Sequence, residues 1–157
     1  MNSKGFTLIE LVVVIVILGI LAVSAVPKYI NLQADARTAT LEGVKAAMQG
    51  ASALVYGKSI VAGNQKEPDS NTPKPTVTLT DGSLININFG YPVAEVVDWG
   101  KLLDLNTDDF KISPVGGAKV AIHPVSVIPF TETEDCIVVY FQASATAPPI
   151  IVVNPCL

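Results

Sequence analysis

The sequence predicts an α+β protein in which one long N-terminal helix protrudes from a head, and the antiparallel β-sheet of that head packs on the helix's C-terminal half. Two observations predict this fold. An apolar stretch continues into a segment of helical periodicity, and together they cover residues 6–57. A series of short alternating segments, separated by turn residues, begins at Thr76. A helix followed by strands, instead of helices alternating with strands, is typical of the α+β class.

The first half of the predicted helix, residues 6–27, is apolar enough to cross a membrane. From Phe6 to Val26 the only interruptions are Thr7, Glu10, Gly19 and Ser24. At 1.5 Å per residue this run spans about 32 Å, which is close to the thickness of a bilayer's hydrocarbon core. Residues 1–5, with a single basic residue, precede it as a short leader.

The second half, residues 28–57, is predicted to be amphipathic. Its apolar residues recur at spacings of three, four and seven: Ile30, Ala34, Leu41, Val44, Met48, Ala51 and Val55. Pro27 removes one backbone donor, so we expect a kink there and not an end. Both halves together form a helix of about 50 residues and about 75 Å. The first half has no core of its own chain, so a membrane or neighbouring subunits must bury it.

Residues 58–157 are predicted to form the β-rich head. Residues 58–75 are polar and read as a surface connection, and Asp81-Gly82 joins two alternating segments in the manner of a tight hairpin. The predicted elements are strands at 76–80, 83–89, 120–122, 126–128, 137–143 and 150–153, and a short helix at 94–103 that carries Trp99.

The last two predicted strands lead to a disulfide prediction. If they form an antiparallel hairpin, one register sets Val139 opposite Val153 and Phe141 opposite Ile151. The same register sets Cys136 opposite Cys156, the only two cysteines of the chain. Such a bond would close the open end of the hairpin, bound the C-terminal region of the head and contribute about 3 kcal/mol on the chain-entropy account.

Composition and motifs argue against several other classes of protein. The 157 residues suit one domain with a helical extension. The net charge of -4, without a basic cluster, speaks against nucleic acid as a partner. Asp104, Asn106 and Asp108 imitate the opening of a calcium loop, but Asp109 and Val115 stand where the loop needs Gly and Glu. No catalytic constellation surrounds the only histidine, His123, so we expect no metal, no cofactor and no enzyme activity.

The N-terminal residues Gly5-Phe6-Thr7-Leu8-Ile9-Glu10, the apolar run behind them, and the positions of Gly19 and Pro27 resemble the processing and assembly segment of type IV prepilins. The likeness continues through residues 29–58. There Asn31-Leu32-Gln33, Asp35-Ala36-Arg37 and the stretch 50–58 are similar to major pilins of mannose-sensitive haemagglutinin pili. About the first third of the chain carries this resemblance, and the head matches only in layout.

The resemblance implies a maturation and assembly route. A prepilin peptidase would cleave between Gly5 and Phe6 and methylate the new amine of Phe6. The precursor would sit in the inner membrane with its head in the periplasm. An assembly ATPase and a platform protein would then move it into a homo-oligomeric helical filament outside the cell, with the helix loosened between Gly19 and Pro27. Surface attachment, with a cell-surface glycan as candidate receptor, is also implied.

Two alternative functions stay open beside this one. The first is a major pseudopilin of a type II secretion system, against which the cysteine pair and the missing calcium loop stand. The second is a signal-anchored periplasmic enzyme, for which the sequence offers no set of catalytic residues.

Glu10 is the candidate register residue of the apolar half. A carboxylate within a membrane helix costs about 2.5 to 3.5 kcal/mol by insertion scales, so Glu10 needs a partner. The amine of Phe6 on a neighbouring subunit is the natural one. The alternative is that Glu10 lies near the membrane surface and reaches water.

Small residues of the amphipathic half have two alternative uses. They allow close approach to the sheet of the head, to a neighbouring subunit, or to both on different faces of the helix. These residues are Gly43, Ala46, Ala47, Gly50, Ala51 and Ala53.

Overall fold

The computed structural model describes the backbone of residues 7–157 and the side chains of residues 7–23 and 32–157. Helix α1 runs from Leu8 to Ala62, 55 residues or about 80 Å, and continues through Pro27. It extends beyond the predicted end at residue 57 into the segment that was expected to be a connection. Gly63 ends it in the left-handed conformation (φ 75°), and the N–H groups of Gly63 and Asn64 bond to the last carbonyls.

The head consists of two antiparallel sheets and a short helix. The three-stranded sheet has the order β1-β2-β3, and the four-stranded sheet has the order β4-β5-β6-β7. The elements are β1 Thr76–Thr78, β2 Leu84–Asn88, β3 Tyr91–Pro92, α2 Val96–Leu102, β4 Phe110–Pro114, β5 Lys119–Pro124, β6 Ile137–Phe141 and β7 Ile150–Asn154. The hairpin predicted around Asp81-Gly82 is confirmed, with Val77 opposite Ile85 and Gly82 at φ 86°.

The strand predicted at 126–128 is wrong, and the sequence pattern did not predict strands β3 and β4. Strand β5 ends at Pro124, where the Val127 N–H bonds back to the Pro124 carbonyl and forms a turn. The strand that pairs with this part of β5 lies upstream instead, with Ile112 opposite Ile122. Strand β4 contains the alternation of Phe110, Ile112 and Pro114, which the acidic turn before it obscured.

The register predicted for the last hairpin is wrong by one residue. Val139 lies opposite Val152, and Phe141 lies opposite Ile150. The observed register sets Tyr140 opposite Ile151 and Val138 opposite Val153, so all four contact the cluster beneath α1. A slip by one residue would disturb this matched apolar face, which is why burial selects the register.

The predicted disulfide between Cys136 and Cys156 is nevertheless present. The Cys136 N–H bonds to the carbonyl of Pro155. In the register of β6 and β7, Cys136 therefore lies opposite Pro155 and not opposite Cys156. Cys136 leaves the extended conformation, with φ 62°, and this local turn brings its side chain to Cys156.

The main core lies between α1 and the four-stranded sheet, which confirms the predicted packing on the C-terminal half of the helix. Leu41, Val44 and Met48 of α1 meet one face of the sheet together with Trp99 of α2. The Trp99 and Tyr140 rings pack edge to face with centroids 4.6 Å apart. Burial raises the pKa of Tyr140, whose hydroxyl donates to the Pro92 carbonyl at 2.7 Å.

A second cluster joins the end of α1 to the three-stranded sheet through Val55, Val77, Ile85 and Ile87.

Candidate assembly surface

The first part of α1 presents an uncovered apolar surface. Every described residue from Leu8 to Val23 is exposed, with Ile9 72% and Val23 78% accessible. Nothing in the described part of the head packs on this segment, so the burial of its apolar area must come from outside the subunit. Within the residues that the structure describes, no helix is long and apolar enough to cross a membrane. The membrane span predicted for residues 6–27 stays a prediction.

Glu10 closes a capping box at the start of α1. Thr7 is the N-cap, with φ -81° and ψ 152°, and its hydroxyl oxygen accepts the Glu10 N–H at 3.3 Å. In return one Glu10 carboxylate oxygen accepts both the N–H and the O–H of Thr7, each at 2.8 Å. The box satisfies backbone donors that a helix terminus otherwise leaves unpaired.

The capping box was missed by the interpretation of the sequence, although the signal is present. Thr7-Leu8-Ile9-Glu10 has the Thr-x-x-Glu spacing that marks a helix start. The carboxylate therefore has a partner within its own chain, and it also lies at the surface beside Ile9, Val13 and Val14. Gly5 and Phe6, the predicted cleavage and methylation residues, lie outside the described residues.

Gly19 and Pro27, the predicted helix-loosening residues, lie within the unbroken helix α1. A Cβ atom added at Gly19 would meet nothing within 4 Å. Packing inside the subunit therefore does not require a glycine at this position. Pro27 belongs to the stretch whose side chains lie outside those described, so loosening of the helix between the two residues stays a prediction.

The small residues of α1 divide between its two faces. Ala51 is half-buried and packs against the main core. Gly43, Ala46, Ala47, Gly50 and Ala53 are exposed, and Ala53 lines an open cleft together with Thr76, Val77 and Thr78 of β1. Of the two uses that the sequence left open, contact with the head's own core therefore applies to Ala51, and the exposed members remain available to a neighbouring subunit.

The C-terminus is fixed to α1 as well as to the sheet. The Cys156 N–H donates to the Thr38 hydroxyl at 2.9 Å, and that hydroxyl donates to the Ala34 carbonyl at 3.0 Å. With the disulfide, this contact anchors the C-terminus to α1 at Thr38. Both cysteines of the predicted pair thus belong to the main core beneath α1.

The other candidate residues have structural partners. His123 is buried, its Nδ1 lies 2.9 Å from the Pro124 carbonyl, and its Nε2 lies 2.9 Å from the Ser113 hydroxyl. In the acidic turn, the Asn106 amide donates to the Asp109 carboxylate at 2.7 Å. Among the side chains of residues 7–23 and 32–157 there is no group of three or more His, Cys, Asp or Glu placed to hold a metal ion.

Comparison with known proteins gives one family match and several relatives. The family described as "Prokaryotic N-terminal methylation motif" matches residues 1–26. The chain is 37% identical over 112 residues to the type IV narrow pilus major component PilA5 of Thermus thermophilus, which covers 68% of this chain and 97% of that protein. It is 40% identical over 91 residues to a fimbrial protein of Pseudomonas aeruginosa, covering 52% of this chain and 54% of the relative. It is 42% identical over 83 residues to the type IV major alpha-pilin of Moraxella bovis, covering 51% and 50%. No solved structure matches.

Proposed function

Because the chain belongs to the type IV pilin family, we propose that it is the repeating subunit of a surface pilus of the mannose-sensitive haemagglutinin type. It is a structural protein of the pilus and not an enzyme. The narrower type rests on the likeness of residues 29–58. Surface attachment, through a cell-surface glycan, belongs to the same proposal.

The observation that carries the proposal is the exposed apolar half of α1. Sixteen successive residues from Leu8 to Val23 are exposed while the head has a closed core of its own. In the precursor the lipid of the inner membrane buries this surface, with the head in the periplasm. In the filament the same segments of neighbouring subunits bury it, after an assembly ATPase and a platform protein have moved the subunit out of the membrane. Neither state needs a change in the fold of the head.

Processing prepares the helix for this exchange. Cleavage between Gly5 and Phe6 creates an amine at Phe6, which the prepilin peptidase then methylates. Thr7 and Glu10 begin the helix immediately afterwards, so the cut leaves the capping box intact. The Glu10 carboxylate offers lone pairs beyond those that Thr7 occupies, and the amine of a neighbouring Phe6 is the charge that would compensate it in an apolar filament core.

The two roles of Glu10 can be separated by matched variants. Glu10→Gln retains an oxygen for the capping box but removes the charge. Thr7→Val removes the hydroxyl of the box but keeps the charge. If the carboxylate sets the register between subunits, Glu10→Gln abolishes surface pili while Thr7→Val retains them. Both variants are still cleaved, and only Glu10→Gln accumulates cleaved subunit in the membrane. The reverse pattern would leave Glu10 only its capping role, and normal pili in both variants would refute an assembly role for it.

A mass spectrum of filaments sheared from cells tests the wider proposal. The expected subunit begins at a methylated Phe6, contains the Cys136–Cys156 disulfide and is the most abundant protein of the preparation. Electron microscopy of the same cells distinguishes long surface fibres from the short assemblies of a secretion pseudopilin. Absence of the chain from sheared filaments would overturn the proposal.

A further inference from the structure

The head carries an open apolar groove beside the exposed face of α1. Gly50 and Leu54 of α1 form one wall, Leu79 at the β1–β2 turn forms another, and Leu102 and Leu103 at the end of α2 form the third. Leu54 is 73% exposed although it belongs to the half of α1 that packs on the head. The volume is about 720 Å³, within the range of about 300 to 1,000 Å³ in which proteins hold compact ligands. We call this surface the head groove.

A second exposed apolar surface lies elsewhere on the head. Ile128 and Phe130 are 73% and 80% exposed and flank Pro129. We call these two side chains the apolar loop. They belong to the segment between β5 and β6, whose Val127 packs against both the main core and the cluster of Val115, Ala121, Ile137 and Val139.

The segment that carries the apolar loop is held in place. Lys119 donates to the Glu132 carboxylate at 2.6 Å and lowers the pKa of that group. The Asn154 amide donates to the carbonyls of Glu132 and Glu134 at 2.9 and 2.8 Å. These bonds hold the chain next to the apolar loop in place, so little conformational entropy is lost when a partner binds the loop.

These two surfaces are both apolar and share no residue, so they are different patches of one subunit. An interface built from two different patches of identical subunits is heterologous, and repeated heterologous contacts that do not close produce an open helical filament. This is the symmetry that a pilus requires. We propose that the apolar loop of one subunit inserts into the head groove of the next.

The proposal rests on the proposed function, since it takes a second copy of this chain as the occupant. The rim of the groove carries two lysines and two aspartates, Lys58, Lys101, Asp81 and Asp104, so it is electrically neutral. Apolar contact therefore decides what binds, which suits a loop whose exposed side chains are Ile128 and Phe130. The groove also adjoins the exposed small residues of α1, so the head contact continues the helix surface that is available to neighbouring subunits.

Cysteine cross-linking in assembled pili tests this contact. The two native cysteines form a disulfide with each other, so introduced thiols are the only reactive ones. Full-length chain carrying Leu54→Cys and Phe130→Cys is expected to give a ladder of linked multimers in sheared pili. Leu103→Cys with Ile128→Cys is a second pair in case the first assembles poorly. Val97→Cys, at a residue 67% exposed on α2, replaces the groove thiol in the matched control.

Each outcome decides the proposal. A ladder in either groove–loop pair, absent from the single variants and from the Val97→Cys control, supports it. Dimers in a single variant would indicate a symmetric contact and overturn it, as would intact pili without cross-links. A cross-link between Leu54→Cys and Val13→Cys would show that the apolar part of a neighbour's α1 occupies the head groove, and would overturn the proposal. Phe130→Ser is expected to lower surface pili at least about tenfold while the stored subunit keeps its disulfide. Wild-type cells without filaments would refute the proposed function itself.

Discussion

Gly90→Ala tests how closely the end of α1 and the β2–β3 turn are packed. Gly90 has φ 86°, and a Cβ atom there would lie 2.8 Å from the Ser59 hydroxyl oxygen and 2.9 Å from Tyr56 Cδ2. The Tyr56 ring cannot retreat without losing its stacking on Tyr91, where the centroids are 4.5 Å apart. Gly82 provides the matched control, because it has the same φ of 86° and no atom within 4 Å of the added Cβ.

The expected losses in the free energy of unfolding follow from these two environments. The left-handed conformation costs a non-glycine residue about 1–2 kcal/mol, which is the whole effect of Gly82→Ala. Overpacking against the Ser59 and Tyr56 side chains adds about 1–3 kcal/mol at Gly90. Gly90→Ala is therefore expected to lose about 2–5 kcal/mol, and the difference between the two variants measures the packing contribution alone.

Urea unfolding of the full-length chain in detergent, followed by Trp99 fluorescence, gives both values. Trp99 is the only tryptophan and is fully buried, so its emission reports on the core of the head. In a Tyr56→Ala background the additional loss at Gly90 should shrink, since one of the two clashes has been removed. Equal losses for Gly90→Ala and Gly82→Ala would show that the turn moves away from α1, and would refute the reasoning.

Three further variants address the C-terminal anchor, the buried tyrosine and the helix contact. Replacing both cysteines by Ser should lower the free energy of unfolding by about 3 kcal/mol and increase proteolysis within β7, measured by limited digestion; unchanged stability would contradict the anchor. Burial raises the pKa of Tyr140, so the folded state retains a proton that the unfolded state loses above about pH 10. Stability should fall as the pH rises past that point, and Tyr140→Phe should remove this part of the fall. The same variant should lose about 1 kcal/mol at pH 7 with the hydrogen bond to Pro92. Thr38→Val should cost about 1 kcal/mol and free the C-terminus for exchange of the Cys156 amide, measured by hydrogen exchange.

The parts of the fold that follow from local pattern could be predicted, and the parts that depend on distant partners could not. The periodicity of α1 and the Asp81-Gly82 turn each specify their own geometry. The register of β6 and β7 does not, because it depends on which side chains α1 covers. Strand β4 was hidden for the same reason, since only its pairing with β5 distinguishes it from the acidic loop that precedes it.

At the site, the sequence pointed to the residues but not to their immediate contacts. The charge of Glu10 within an apolar run marks it as a site residue. Its hydrogen bonds with Thr7 follow only from the Thr-x-x-Glu spacing of a helix start. The head groove lay beyond prediction, because α1, the β1–β2 turn and the end of α2 meet only in the folded chain.

Helix α1 divides its folding and assembly roles by face as well as by length. In the folded half, Leu41, Met48 and Val55 lie seven residues apart and are buried. Gly43, Gly50 and Gly57 also lie seven residues apart and are exposed. A period of seven drifts only about 20° per repeat relative to an ideal helix, so both faces persist along this stretch. The residues that hold the head together are therefore not those that are available to a neighbour, and subunits can pack along α1 without disturbing the core.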